Sequence, residues 1–287
     1  MDLLDKMNDA LDYVEKNLLT EIDIEEAARR ACCSVFNFQR MFSFIADVSL
    51  ADYIRRRRLS LAAMELLTTE AKVIDVAAKY GYESPVSFAR AFSAVHDVSP
   101  SETRKSGVQI KSYPRITFEI SIKGVKAMNY KIETKEAFRV VGYKIRTSMN
   151  NGENFQKVPE FWAECDASGK CASLCSYSDD PALPGLLGLC ANEDKDGFDY
   201  FIATASTKPI PGDLSELMIP ATTYVIFESV GKMPEAIQDV WKRAFSEWFP
   251  TSNYDIAGGA QIEWYSDGDG NSDDYRAEVW VPVRKKN

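Results

Sequence analysis

The chain repeats part of itself at an offset of 50 residues. Ile24, Ala27, Ala28, Ser34, Phe38, Arg40, Phe42, Ser43, Asp47, Val48 and Ser49 recur as Ile74, Ala77, Ala78, Ser84, Phe88, Arg90, Phe92, Ser93, Asp97, Val98 and Ser99. Self-similarity at a fixed period indicates that one supersecondary unit is present twice. Each copy predicts a short helix, a turn and a second helix, which is the helix-turn-helix arrangement that places its second helix in a DNA major groove.

The remaining pattern predicts two domains. Residues 1–106 predict helices, the last of them a short one from Ser99–Pro100. The later part predicts two helices, Phe155–Cys165 and Pro234–Phe249, among strands. The predicted strands are Ile116–Lys123, Lys126–Thr134, Phe138–Arg146, Phe198–Ala205, Thr222–Val230, Gln261–Tyr265 and Arg276–Val283. We therefore expect an all-α double helix-turn-helix domain over 1–106, a linker over 107–125, and an α+β domain of two duplicated strand-helix-strand halves over 126–287.

Composition limits the classes of protein that this chain can belong to. No stretch approaches the roughly 20 apolar residues of a membrane span, so we expect a cytoplasmic protein with reduced cysteines and no membrane partner. Cys165, Cys171, Cys175 and Cys190 form no CxxC pair, and His96 is the single histidine. We therefore expect no metal site and no cofactor. The net charge of −9 argues against indiscriminate nucleic-acid binding, so any DNA contact must come from local basic residues.

The second helix of each copy divides into a core face and a face available for DNA. Phe38, Met41 and Phe42 recur at helical spacing and predict the core side. Ser34 and Ser84 stand where N-caps belong. The residues left for DNA include Phe36, Asn37, Gln39 and Arg40 in the first copy, and Pro85, Val86, Ser87 and Arg90 in the second. Arginine can pair with guanine, and Asn or Gln with adenine. A solvated face of a helical bundle is the alternative. The run Arg55–Arg58 fits either phosphate contacts or a solvated face.

The same segment resembles the AraC/XylS family of bacterial transcription regulators. The matching residues are Ala27-Ala28, Ser34, Gln39-Arg40-Met41-Phe42, Tyr53-Ile54, Arg58-Leu59, Ala77, Gly81-Tyr82-Glu83-Ser84, Phe88, Arg90, Phe92, Ser99-Pro100 and Arg104. The resemblance implies that both second helices enter successive major-groove segments of promoter DNA. Two departures are Ala31, where the family usually has glycine, and Pro85-Val86, which offer no hydrogen-bonding side chains. We therefore expect the first copy to supply more of the base reading.

The second domain has many aromatic residues interleaved with acids and no recognisable catalytic signature. A carboxylate among aromatic faces suits an organic cation. The alternative is that most of these rings belong to the core. The candidate walls of a ligand site are Trp162, Tyr224, Trp248, Tyr265 and Trp280.

This domain resembles the GyrI-like effector-binding domain. The resemblance rests on the run IPATTYVIFESVG, a following helix, WFPTSNYD, IEWYSDGDG and EVWVPV, in that order. It implies a ligand held in the groove between the two halves, with Glu263 of the E-x-Y motif central and Tyr265 beside it. The combination of the two domains is found in ligand-responsive activators of drug-resistance and stress genes.

The main hypothesis is therefore a ligand-responsive transcription regulator and not an enzyme. It would bind double-stranded promoter DNA and have RNA polymerase as a partner. It would sense a hydrophobic small molecule, which is a cation in one version of the hypothesis. A second hypothesis is a GyrI-like hydrolase, in which Glu263 acts as general base and a nearby tyrosine holds an oxyanion or donates a proton. A third is an interaction module whose second domain recruits RNA polymerase or another partner without binding a small molecule.

Overall fold

A computed structural model describes residues 3–105, 107–119, 127–149, 152–181, 183–194, 196–210 and 212–286. The chain divides into a mainly helical unit, Leu3–Ser43 with Val48–Glu119, and a strand-rich unit that consists of the residues after Glu119 together with Phe44–Asp47. This agrees with the predicted order of an all-α part followed by an α+β part. Within the described part of the chain, no helix is long and apolar enough to cross a membrane.

The helical unit contains six helices among its described residues. They are α1 (Leu3–Lys16), α2 (Ile24–Arg30), α3 (Val35–Ala46), α4 (Leu50–Thr68), α5 (Val73–Lys79) and α6 (Pro85–His96). The pairs α2–α3 and α5–α6 are the two repeated units, and the long helix α4 lies between them in the chain. The short helix predicted from Ser99–Pro100 is absent from the described residues, because residues 100–105 form turns.

The two repeated units share their core and their caps. Phe38 and Phe42 in the first copy and Phe88 and Phe92 in the second are fully buried, which confirms the predicted core face. Both N-caps are also confirmed by hydrogen bonds. The Asn37 amide donates to Ser34 Oγ at 3.2 Å, and the Ser87 amide donates to Ser84 Oγ at 3.1 Å.

The turns inside the two units differ in the residue that adopts a left-handed conformation. In the second copy this residue is Gly81, with φ of 83°. In the first copy it is Cys32, with φ of 55°. Ala31, at the position where the AraC/XylS resemblance implies glycine, has an ordinary φ of −72°. The first turn therefore places a residue with a Cβ in a conformation that favours glycine.

Part of the predicted linker belongs to the helical unit. The Arg57 guanidinium donates to Tyr113 O at 2.8 Å, and Asn8 Nδ2 donates to Phe118 O at 2.8 Å. Residues 107–119 are therefore held against α4 and α1. The rest of the predicted linker, and residue 106, lie outside the described residues. The predicted boundaries at 106 and 126 stay predictions.

The strand-rich unit contains nine strands among its described residues. They are β1 (Tyr130–Lys135), β2 (Phe138–Thr147), β3 (Leu186–Asp194), β4 (Gly197–Ala205), β5 (Ser215–Ile219), β6 (Thr222–Val230), β7 (Tyr254–Ile256), β8 (Gln261–Tyr265) and β9 (Arg276–Lys285). The helices are α7 (Glu153–Ala167), α8 (Lys170–Cys175), α9 (Glu235–Arg243), a π-helical turn (Ala244–Trp248) and α10 (Phe249–Thr251). The two predicted helices are confirmed. The strands predicted over 116–123 and 126–134 run through residues 120–126, which lie outside the described residues, and 116–119 form no strand.

The sheet order shows the two halves that the sequence predicts. The main path runs β1-β6-β9-β8-β3-β4-β2-β5, with β7 paired to β9. One half is β2, α7, β3 and β4, and the other is β6, α9, β8 and β9. The halves meet where β8 pairs with β3, and this antiparallel register sets Glu263 opposite Gly188.

Candidate DNA-reading helices and effector site

The predicted DNA-reading face of α6 is open to solvent. The Val86 side chain is 78% exposed, and Pro85, Ser87 and Arg90 are exposed as well. The Ser84 cap and a proline in the first turn fix where this helix begins. These four side chains therefore project from one exposed end and face of a well-defined helix, as a helix entering a groove requires.

The corresponding face of α3 differs from the expectation. Phe36, Asn37 and Arg40 are only 9%, 8% and 8% exposed, and Gln39 is half-buried. The Arg40 guanidinium lies over the Phe36 ring, 5.8 Å from its centroid. The sequence of α3, VFNFQRMFSFIA, has large apolar residues on every side, and no residue of this helix is exposed. In this structure the three residues do not face outward as predicted, and their role in DNA binding stays a prediction.

The run Arg55–Arg58 is divided between structural and exposed side chains. Arg57, whose side chain is only 12% exposed, forms an ion pair with Glu15 at 2.8 Å. Arg55 and Arg56 both pair with Asp52; Arg55 is exposed and Arg56 is half-buried. Only these two arginines of the run are therefore candidates for phosphate contacts.

Arg58 and Arg104 make parallel hydrogen bonds in the two copies. Arg58 donates to Leu18 O at 2.7 Å and to Thr20 O at 2.9 Å, in the segment before α2. Arg104 donates to backbone carbonyls in the segment before α5, namely Leu66 O, Thr69 O and Ala71 O. Each guanidinium thus fixes the chain that enters one helix-turn-helix unit, which is a positioning role.

A cluster of polar and aromatic side chains surrounds Glu263, at the junction of the two halves of the sheet. We call Glu263, Tyr265, Trp162, Tyr200 and Trp241 the Glu263 cluster. Trp241 Nε1 donates to Glu263 Oε1 at 2.7 Å, and the Tyr265 hydroxyl donates to Glu263 Oε2 at 2.9 Å. Trp162 Nε1 donates to the Tyr200 hydroxyl at 2.8 Å. Helices α7 and α9, one from each half, therefore both supply a tryptophan to the cluster.

The chemistry of the Glu263 cluster is that of a negative group with neutral donors. Among the described residues, no lysine or arginine forms an ion pair with Glu263. Burial, and then the neighbouring Glu263 carboxylate, raise the pKa of Tyr265 well above its ordinary value, so its hydroxyl stays protonated and donates. The Trp162 and Tyr265 rings meet edge to face at 5.2 Å. Glu263, Tyr265 and Trp162 are each half-buried.

Gly188 makes room for this cluster. A Cβ at position 188 would lie 2.4 Å from the Tyr200 hydroxyl and 3.3 Å from both Glu263 Oε2 and Trp162. Any larger residue would therefore displace three members of the cluster. In one half of the sheet, β8 carries the Glu263 carboxylate. The residue that faces it on β3, in the other half, is Gly188.

The structure does not bring the other predicted ligand walls to Glu263. Ile262 pairs with Trp280, and Trp280 with Ile226, so Trp280 lies on the face opposite to Glu263. Tyr224 shares that face and contacts Trp280 at 5.6 Å between ring centroids. Both are buried in the core cluster of that face. Trp248 packs elsewhere, against Tyr130, Phe227, Phe249 and Tyr254.

Comparison with known proteins identifies both parts of the chain. Residues 128–284 match the model of the GyrI-like small molecule binding domain, and residues 27–106 match a helix-turn-helix domain model. A 100-residue segment is 39% identical to the HTH-type transcriptional activator AarP of Providencia stuartii, covering 35% of this chain and 74% of AarP. This chain is an AraC/XylS-family transcription regulator with a GyrI-like domain.

Other relatives match one part of this AraC/XylS regulator each. The regulatory protein SoxS of Escherichia coli K12 is 37% identical over 98 residues, which cover 34% of this chain and 92% of SoxS. The structure of SAV2435 bound to tetraphenylphosphonium is 26% identical, with a TM-score of 0.49, and the match covers 55% of this chain and 94% of that chain. AarP is named a transcriptional activator and SoxS a regulatory protein, in agreement with the main hypothesis of a transcription regulator.

Sequence reasoning missed three members of the site in this GyrI-like domain. Trp241 lies on α9, where its helical spacing from Ile237 and Val240 predicts only a core residue. Tyr200 and Gly188 lie on β4 and β3, and β3 was not predicted as a strand. Since the register of β3 with β8 sets Gly188 beside Glu263, no local signal could have placed these residues together.

Proposed function

We propose that this regulator recognises double-stranded promoter DNA through the exposed face of α6, with Pro85, Val86, Ser87 and Arg90 as the contacting residues. The observation that supports this is their exposure, with Val86 at 78%. Arg90 is the member that can pair with a guanine edge, and Val86 can contact a thymine methyl group.

We further propose that α3 contributes to DNA binding only in a state of the protein that exposes its reading face. Phe36, Asn37 and Arg40 are buried in the described structure, so α3 cannot present them to bases without a conformational change. An effector can alter DNA binding only if it binds such states with different affinities. Gln39, which is half-buried, is the least buried of the four predicted DNA-reading residues of α3.

The proposed effector is a lipophilic cation that binds at the Glu263 cluster. The observation that carries this proposal is a half-buried carboxylate that accepts hydrogen bonds from two neutral donors and, among the described residues, has no cationic side chain paired with it. A partly desolvated carboxylate gains more from a nearby positive charge than one in water does. The Trp162 and Tyr265 rings would contact the apolar and cationic parts of the ligand.

Binding of tetraphenylphosphonium, compared with the neutral triphenylphosphine oxide, tests this proposal on the full chain. We expect Glu263→Gln to raise the Kd of the cation by about tenfold or more, equivalent to about 1.4 kcal/mol, and to leave binding of the neutral compound nearly unchanged. Isothermal titration calorimetry measures both. Equal binding of the two compounds, unchanged by Glu263→Gln, would contradict the charge argument.

Glu278→Gln is the matched control for this experiment. Glu278 also accepts a hydrogen bond from a tryptophan, Trp280 Nε1 at 2.7 Å. It pairs in register with Trp264, so it lies on the face of the sheet opposite to Glu263. We expect its substitution to leave the Kd of the cation unchanged. If both variants lost affinity equally, the effect would belong to the sheet and not to the Glu263 cluster.

The hydrogen bond between Tyr265 and Glu263 keeps the hydrolase alternative testable. A protonated tyrosine beside a carboxylate is the pair that the alternative requires. Time-dependent hydrolysis of an aryl ester by the full chain, abolished by Glu263→Gln, would support it. We expect no turnover.

We propose that DNA binding by this protein recruits RNA polymerase in the cytoplasm, since AarP is named a transcriptional activator. In vitro transcription from a bound promoter tests this. We expect increased transcript with the wild-type chain, and the increase should be lost in a variant that no longer binds DNA. A constant transcript level would contradict the proposal.

A further inference from the structure

Two buried cysteines lie next to each other at the end of α7. Cys171 Sγ lies 2.6 Å from Cys165 Sγ. Cys165 is 1% exposed and Cys171 is 7% exposed. The chain turns between α7 and α8 through Gly169, whose φ of 74° is a left-handed conformation. The turn at Gly169 lets the two thiols, which are six residues apart in the sequence, come together.

We propose that Cys165 and Cys171 form a reversible disulfide on exposure to a hydroperoxide, which makes this pair a modification site beside the effector site. A disulfide needs sulfurs about 2.05 Å apart, so the thiols would have to approach by only roughly half an ångström. The two residues lie on neighbouring helices of the same unit.

The reaction requires a hydroperoxide as oxidant and proceeds in two steps. One of the two thiols attacks one peroxide oxygen as a thiolate. The O–O bond breaks, the departing oxygen takes up a proton and leaves as water, and a sulfenic acid forms on the attacking sulfur. The sulfur of the other cysteine then attacks this sulfenic sulfur, the S–O bond breaks, and a second water leaves. Overall, two thiols lose two protons and two electrons, and one hydrogen peroxide becomes two waters.

Two observations describe the expected rate. Burial is the main cause that raises the pKa of both thiols, so little thiolate is present at neutral pH and the reaction is slow. Hydrogen peroxide is small enough to reach a thiol that is 7% exposed. The pair would therefore respond to sustained and not to brief oxidation.

The position of the pair connects it to the Glu263 cluster. Trp162 precedes Cys165 by three residues on α7, so their side chains lie on neighbouring parts of the helix surface. Trp162 donates to Tyr200 and packs on Tyr265. A covalent link at the end of α7 would fix this helix to α8 and change how Trp162 is held. This consequence for ligand binding rests on the proposed function of the Glu263 cluster, whereas the disulfide itself does not.

Peroxide treatment of the full chain, followed by peptide mapping without reductant, tests the modification site. We expect a linked peptide pair containing Cys165 and Cys171, its loss on treatment with dithiothreitol, and its absence in Cys165→Ser. Cys175→Ser is the matched control, because Cys175 lies four residues after Cys171 on α8 and is exposed. We expect the link to form normally in that variant. No link in the wild-type chain, or a link that requires Cys175, would overturn the proposal.

Tetraphenylphosphonium binding to reduced and oxidised protein tests the connection to the effector site. We expect the Kd to change at least about threefold on oxidation of the wild-type chain and not at all in Cys165→Ser treated in the same way. If the link forms and the Kd stays constant, the connection is wrong and the modification site stands. If the reduced chain does not bind the cation, the proposed effector class fails independently, and the peptide map still decides the disulfide.

Discussion

The two helix-turn-helix copies have the same core and caps but different outer faces. α3 has seven buried residues, whereas α6, of equal length, has four. Phe36, Asn37 and Arg40 are buried in the first copy, while Pro85, Val86, Ser87 and Arg90 are exposed in the second. The shared phenylalanines and cap serines therefore specify the fold of the unit. Arg40 and Arg90 are shared as well but differ in exposure, so the surroundings of each second helix decide whether it is available to DNA.

The shared core gives the largest expected effect. Phe38→Ala and Phe88→Ala each remove a fully buried ring, so we expect each to lower the free energy of unfolding by about 3–5 kcal/mol. Urea unfolding followed by far-UV circular dichroism measures this. Phe155→Ala is the control, because Phe155 is 50% exposed and its loss should cost less than about 0.5 kcal/mol. A loss below about 1 kcal/mol in one copy alone would mean that the two cores are not equivalent.

The two turns should respond in opposite directions to exchange of their left-handed residue. Gly81→Ala places a Cβ at φ of 83° and should destabilise by about 1 kcal/mol. Cys32→Gly relieves a non-glycine residue at φ of 55° and should stabilise by roughly 0.5–1 kcal/mol. Thermal unfolding of both variants beside the wild type checks the signs. Destabilisation by Cys32→Gly would show that the first turn depends on the cysteine side chain.

The smallest expected difference is a contribution of His96 to the pH dependence of stability, for which the first copy has no counterpart. His96 is 2% exposed and lies 3.2 Å from Leu59 O through Nε2, and burial is the main cause that lowers its pKa. At the position 50 residues earlier the first copy has Ala46. Because the unfolded chain binds the proton more readily, the free energy of unfolding should fall as the pH drops below about 6.5, the ordinary pKa of histidine.

His96→Ala gives the second copy the residue of the first and checks this dependence. We expect the variant to lose stability at every pH through its cavity, and to lose the part of the slope that begins below about pH 6.5. Urea unfolding at several pH values between about 5 and 7 measures the slope. An identical slope in wild type and variant would assign the pH dependence to carboxyl groups.

Local sequence signals were sufficient for the helical unit and insufficient for the effector site. Repeat spacing, N-cap serines and apolar periodicity predicted α2–α3 and α5–α6, because these elements depend on nearby residues. Glu263 and Tyr265 are predicted through the resemblance to the GyrI-like domain, whose E-x-Y motif they match. Tyr200, Gly188 and Trp241 were not, because strand register and helix packing bring them to Glu263 from distant parts of the chain.

Two errors have a common physical cause. Aromatic composition predicts that Trp280 and Tyr224 lie near Glu263. Strand alternation instead puts both on the opposite face of the sheet. The α3 residues were placed outside by exclusion from one apolar stripe, although the helix has apolar residues all round. In both cases the prediction uses the residue type alone and not the neighbouring residues that bury the side chain.

DNA binding by Arg40→Ala and Arg90→Ala in the full chain, without effector, tests the inequality of the two copies most directly. The duplex is selected by the wild-type chain from random-sequence DNA, and fluorescence anisotropy gives the Kd. We predict that Arg90→Ala weakens binding by about 1–3 kcal/mol and that Arg40→Ala leaves it nearly unchanged, since Arg40 is 8% exposed. A loss with Arg40→Ala equal to or larger than that with Arg90→Ala would contradict the account.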